Sequence, residues 1–124
     1  MSDTTAVVDA YLAALSETDP ASRAELVDRA WTPEGHFVDP LLEARGHEAL
    51  AGLADAVIGA YPGHTFRRTT GIDAHHGLVR FAWDLVGPDG TVAATGIDVG
   101  IVAGDGRLTN IAGFFGEPPA REAA

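Results

Sequence analysis

From His64 onward the chain stops reading as helix, and extended segments alternate with turns rich in Gly, Pro and Asp. The turns fall at Ala74–Gly77, Gly87-Pro88-Asp89-Gly90 and Gly104-Asp105-Gly106, which predicts strands over 64–73, 78–86, 91–103 and 107–115. The first half has the other periodicity. Val7, Val8, Tyr11, Leu12 and Leu15 recur at helical spacing, predicting a helix near 4–16 that Ser2 or Asp3 can cap. Asp19-Pro20 pairs a cap with proline at the first helical position and opens a second helix carrying Leu26, Val27 and Ala30, ending near Trp31. His36-Phe37-Val38-Asp39 then reads as a short strand closed by Pro40. Gly46 precedes a third helix with Leu50, Leu53, Ala54, Val57, Ile58 and Tyr61 on one side, stopped by Pro62-Gly63.

Helices first and an antiparallel meander afterwards is an α+β order, in which the helices cover one face of the sheet. Between a concave sheet and its helices a blind apolar cavity is left, and a binding site is expected there. With 124 residues the chain fits one domain, expected to span 1–117, with 118–124 as a frayed tail.

The charge narrows the partners. The net charge is −10 and all eight basic residues are arginine, so the surface repels phosphate backbones and anionic headgroups. Neither nucleic acid nor membrane is expected as a partner. Cysteine is absent, which excludes a disulfide framework, a thiolate nucleophile and a Cys-based metal site. The first residues have no basic or apolar leader pattern and no apolar run approaches the roughly 20 residues of a spanning helix, so the cytoplasm is the expected location.

Phosphate-binding glycine loops, G-x-S-x-G and H-E-x-x-H are all missing. The histidines at 36, 47, 64, 75 and 76 read as solvated, with His75 and His76 splayed apart in a turn and His47 without a ligand set in the first turn of helix three. No metal site is expected. Two carboxylates stand out. Asp39 shares a strand face with Phe37, and Asp98 shares one with Gly96 and Gly100. Pattern alone would turn Ile97, Val99 and Ile101 inward and leave Asp98 in water. By the same standard Asp39 before Pro40 caps a turn and Tyr11 is a core aromatic.

Over roughly residues 5–117 the chain resembles the NTF2-like superfamily (the SnoaL-like and ketosteroid isomerase-like proteins), and within it Δ5-3-ketosteroid isomerases most closely. That family carries an oxyanion-hole tyrosine in a V-V-x-x-Y-x-A-A-L context, read here as Val7-Val8-Asp9-Ala10-Tyr11-Leu12-Ala13-Ala14-Leu15. Its general base is the aspartate of an Asp-Pro pair, matched by Asp39-Pro40, and its second oxyanion donor the aspartate of an Ile-Asp pair, matched by Ile97-Asp98. Phe115-Gly116-Glu117 matches the family's closing strand. The Asp-Pro pair, Gly46-x-Glu48-Ala49-Leu50 and the Phe-Gly ending are features of the wider superfamily, whereas the coincidence of Tyr11, Asp39 and Asp98 is the sharper signal. Two departures stand beside it. The second tyrosine often found on helix three is replaced near Ala54, and Trp83 puts an indole where the family usually has a smaller residue, which argues against a four-ring steroid.

The resemblance implies an NTF2-like, cystatin-like cone: three helices on a strongly curved antiparallel sheet around an apolar pocket. It implies an isomerase that moves the double bond of a β,γ-unsaturated ketone into conjugation, with Asp39 as base and Tyr11 and protonated Asp98 as oxyanion donors. The implied walls are Phe37, Phe81, Trp83, Ile111 and Phe115. The ligand would be a small apolar carbonyl compound, with no metal or organic cofactor. A SnoaL-like polyketide cyclase using one aspartate, or a non-catalytic ligand-binding or dimeric module, are the alternatives. With Asp98 inward, Ile97, Val99 and Ile101 become an apolar outer stripe, which implies a homodimer through that face.

Overall fold

The computed structural model describes residues 3–123. Met1, Ser2 (and with it the alternative helix cap) and Ala124 of the expected tail lie outside the described residues. Three helices come first or between short strands: α1 (Thr4–Ala14), α2 (Pro20–Ala30) and α3 (His47–Ala60). Their starts follow local chemistry. Asp3 accepts from the Ala6 amide at 3.0 Å and Asp19 from the Ser22 amide at 2.9 Å, satisfying N–H groups that have no partner inside the helix. Gly46 begins α3 without a side-chain cap, in a left-handed conformation at φ 86°.

Seven strands follow the order β2-β1-β7-β6-β5-β3, with β4 pairing β5 beyond β3. They are β1 (Trp31–Val38), β2 (Glu43–Arg45), β3 (Thr65–Arg68), β4 (Asp73–His75), β5 (Leu78–Val86), β6 (Val92–Val102) and β7 (Leu108–Phe115). Every pairing is antiparallel except one: β1 runs parallel to β7, so the sheet is mixed and open rather than purely antiparallel. The cause lies in the topology, because β1 enters from the helical half and joins the far edge of the meander beside its last strand.

Three boundaries differ from the sequence reading. β1 starts at Trp31, directly after α2, and Pro33 is accommodated where the register with β7 shifts between Trp31 and His36. β2 is three residues long, too short to show a period. The expected strand 64–73 is two strands, because Thr70 Oγ1 takes the Ala82 amide at 3.0 Å and interrupts the ladder with β5.

The core lies between the helices and the inner face of the sheet, with Val8, Val27, Trp31, Leu108 and Ile111 fully enclosed. Arg23 ties α2 to α3: its guanidinium donates to the Glu17 carbonyl at 2.8 Å and to Asp55 at 3.0 Å. On β6 the burial alternates so that Gly96, Asp98 and Gly100 face in. Ile97, Val99 and Ile101 face out, each about 40 % exposed. No described helix is long and apolar enough to cross a membrane.

Candidate active site

A cavity of about 630 Å³ opens between the helices and the inner sheet face, a size usual for small-molecule sites. Its wall is mostly aliphatic and aromatic, and Asp39 and Asp98 are the only charged side chains among its described lining residues. Four of its polar side chains come from different parts of the fold. Tyr11 projects from α1, Asp39 follows β1, Trp83 stands on β5 and Asp98 on β6.

Asp98 is 2 % exposed and accepts two hydrogen bonds. Tyr11 Oη donates to Oδ2 at 2.6 Å and the Trp83 indole Nε1–H donates to Oδ1 at 3.0 Å. Burial pushes the Asp98 carboxyl from the ordinary 3.8 up to about 6; the two donors pull it down and the charge of Asp39 adds to the rise. Tyr11 is held well above the ordinary phenol range, first by burial and then by the charge and hydrogen bond of Asp98. Its ring is set by aromatic edges, with Trp31 at 5.6 Å, Phe37 at 6.3 Å and Phe81 at 6.4 Å between centroids.

Asp39 is half-buried and its Oδ1 accepts from the amides of Leu41 at 2.8 Å and Leu42 at 2.7 Å. It therefore caps the turn after β1 while facing the cavity. Gly113 separates the two aspartates. A Cβ placed there would lie 2.8 Å from Asp98 Oδ1 and 3.3 Å from Asp39 Cβ, so the absent side chain leaves room for the Asp98 carboxyl beside Asp39.

Of the expected walls, Phe37, Trp83 and Phe115 line the cavity. Phe81 and Ile111 do not; both are buried behind it. The Tyr11 ring packs on Phe81, and Ile111 turns its Cδ1 into the space above Gly100 instead. Sequence reasoning missed Tyr61, Phe66 and Leu41, which also line the cavity, and missed that Trp83 is a polar group here as well as a wall. The signal for the last was Gly96, opposite Trp83 in the ladder. Position 54 is alanine and buried, so no second tyrosine hydroxyl reaches the dyad from α3 at that point.

The histidines differ from the expectation at two places. His75 and His76 do not splay: with His76 at φ 50° the two Nδ1 atoms lie 3.1 Å apart. His47 is half-buried, its Nε2 within hydrogen-bond distance of the Trp31 carbonyl at 2.9 Å and the Thr32 carbonyl at 3.0 Å, which ties α3 to β1. Among the described residues no three His, Cys, Asp or Glu side chains gather as a metal cluster.

The fold and the site define a class: an NTF2-like cone with a tyrosine–aspartate pair at the wall of an apolar pocket. The chain matches no family model and no curated protein sequence. Among solved structures it is 34 % identical to a proposed isomerase of the SnoaL-like family from Agrobacterium tumefaciens strain C58, covering 94 % of this chain and all of that one at a TM-score of 0.85. The chain belongs to the SnoaL-like family. A ketosteroid isomerase-like fold from Catenulispora acidiphila in complex with trimethylamine (16 % identity, 86 % of this chain, 82 % of that one, TM-score 0.69) shares the fold. So does a proposed SnoaL-like polyketide cyclase from Jannaschia sp. CCS1 (15 % identity, 90 % of this chain, 85 % of that one, TM-score 0.65).

Proposed function

We propose that the cavity catalyses proton transfer at carbon beside a ketone, shifting the double bond of a small β,γ-unsaturated ketone into conjugation. The observation that carries this is the Tyr11–Asp98 pair at 2.6 Å, buried at the wall of an apolar cavity that Asp39 also faces. Isomerisation through an enolate needs a base for the carbon acid and donors for the oxygen where charge develops. Asp39, as carboxylate, takes the α-proton and returns it two carbons away, a positioned acid–base contribution of about 10²–10⁴-fold. Tyr11 donates to the enolate oxygen and neutral Asp98 donates to Tyr11 Oη behind it, a chain of donors in which losing one typically costs about 10²–10³-fold. A carboxylic acid can donate only while protonated, and burial of Asp98, which raises its carboxyl to about 6, favours that state. The absence of any cation from the described lining favours a neutral ligand over an anionic one.

A one-aspartate cyclase is the second reading. It is favoured by the two amides on Asp39 Oδ1, which hold that side chain in a turn, and it makes ionised Asp98 the acid/base group. The pH profile of kcat/KM separates the two. Neutral Asp98 as donor predicts that turnover of one- and two-ring β,γ-enones falls as pH rises through about 6, whereas Asp98 as base predicts a rise. Asp39→Asn abolishes turnover under the first reading while p-cresol, a mimic of the enolate, still binds. Failure of wild-type protein to turn over any enone or to bind p-cresol would sink the isomerase reading.

A further inference from the structure

The indole of Trp83 is more than a wall of the pocket. It lies over Gly96, where an added Cβ would meet Cζ2 at 2.2 Å, so the strand leaves a seat for the ring. Phe66 meets it edge to face at 5.1 Å and Phe115 at 6.1 Å, which fixes its plane. Held so, Nε1–H points at one atom, Asp98 Oδ1, at 3.0 Å.

We propose that Trp83 is a positioning residue that makes Oδ2 the proton-bearing oxygen of Asp98 and thereby aims its donor at Tyr11, which leaves the Tyr11 proton for the cavity. The inference rests on the oxyanion reading of the site. Indole N–H is a donor only, so Oδ1 must accept from it. In a neutral carboxyl the carbonyl oxygen is the better acceptor, and the hydroxyl therefore falls on Oδ2. That oxygen is the partner of Tyr11, 2.6 Å away. Tyr11 donates to Oδ2 while Asp98 is ionised; once Oδ2 carries the proton the direction reverses, and Tyr11 accepts from Oδ2–H and turns its own proton to the substrate oxygen. Without the indole the two carboxyl oxygens lose the donor that distinguishes them. The groups facing Asp98 from packed elements are Tyr11 on α1, Trp83 on β5 and Asp39 after β1; no basic side chain lines the cavity among the described residues.

The chain has two tryptophans, so a ¹⁵N-labelled sample gives two indole signals, of Trp31 and Trp83. Between pH 4 and 8 the Trp83 signal is expected to titrate with Asp98 while Trp31 stays still, and Asp98→Asn is expected to abolish the titration. A Trp83 signal that does not move, or that moves equally in Asp98→Asn, overturns the proposal. Trp83→Phe keeps an aromatic ring in the seat but removes the donor to the ionised form. The alkaline loss of p-cresol binding is then expected about one pH unit higher, with affinity at pH 5 about threefold weaker. A ring that only fills space leaves that midpoint unmoved, and an unmoved midpoint overturns the assignment. If Trp83→Phe does not fold, the indole titration of wild-type protein decides. If enones are not turned over while the indole titrates, the functional reading fails and the hydrogen-bond assignment stands. If enones are turned over while the indole stays still, the assignment fails and the functional reading stands.

Discussion

Replacing Asp98 by asparagine tests the burial of the carboxyl without any substrate. In the folded chain its carboxyl is raised from the ordinary 3.8 to about 6, chiefly by desolvation. The folded state therefore holds a proton that the unfolded state releases across that window. By linkage, the stability that Asp98 contributes is complete below 3.8 and is lost as pH rises through about 6. At 1.36 kcal/mol per unit the whole effect is about 3 kcal/mol, most of it between pH 4 and pH 7. For a domain of this size that corresponds to about 10 °C in melting temperature. Asparagine cannot ionise, so Asp98→Asn removes this dependence while other titrating groups stay common to both proteins. Urea unfolding of the two proteins at intervals from pH 4 to 8 reads it directly. The difference in unfolding free energy should move in favour of the variant by about 2–3 kcal/mol as pH rises. A difference that stays flat to within about 0.5 kcal/mol would refute the reasoning, since an ionised carboxyl would then be as comfortable inside the fold as in water.

Tyr11→Phe removes the 2.6 Å donor and is expected to cut enone turnover about 10²–10³-fold and to weaken p-cresol binding as well, read by steady-state kinetics and titration. Gly113→Ala places a methyl 2.8 Å from Asp98 Oδ1 and should cost about 1–3 kcal/mol in urea unfolding, with p-cresol binding reduced. We also propose that Ile97, Val99 and Ile101, exposed on the outer sheet face, are covered by a second copy of the chain; wild type should sediment as a dimer at micromolar concentration and Val99→Arg as a monomer, and a monomeric wild type would count against it.

The parts of this fold written in local chemistry were legible: Asp3 and Asp19 cap their helices, Gly46 opens α3, and the long strands β5, β6 and β7 sit between the glycine-rich turns. What escaped depends on neighbours far along the chain. Hydrophobic alternation misassigns the faces of β6, because two of its inner positions are glycines that leave room for side chains from other strands. Trp83 of β5 covers Gly96 and Ile111 of β7 covers Gly100. Only the family resemblance turned Asp98 inward. The hydrogen bond from Trp83 could not be read at all, since a strand pattern tells which face a ring is on but not which atom its N–H meets. His47 escaped for a similar reason: its partners are carbonyls at Trp31 and Thr32, on a strand the sequence had not yet begun.

The parallel pairing of β1 with β7 has a kinetic consequence. On the side away from β2, residues 31–38 find their neighbour among residues 108–115, so the strand next to Asp39 waits, unpaired on that side, until β7 has emerged from the ribosome. Loop-closure entropy of this kind slows folding and exposes sheet edges on the way. The hydroxyl of Tyr11 likewise meets its carboxylate across 87 positions of sequence. Docking of β7 brings Gly113 between Asp39 and Asp98, so a strand made some seventy residues after β1 assembles the pocket.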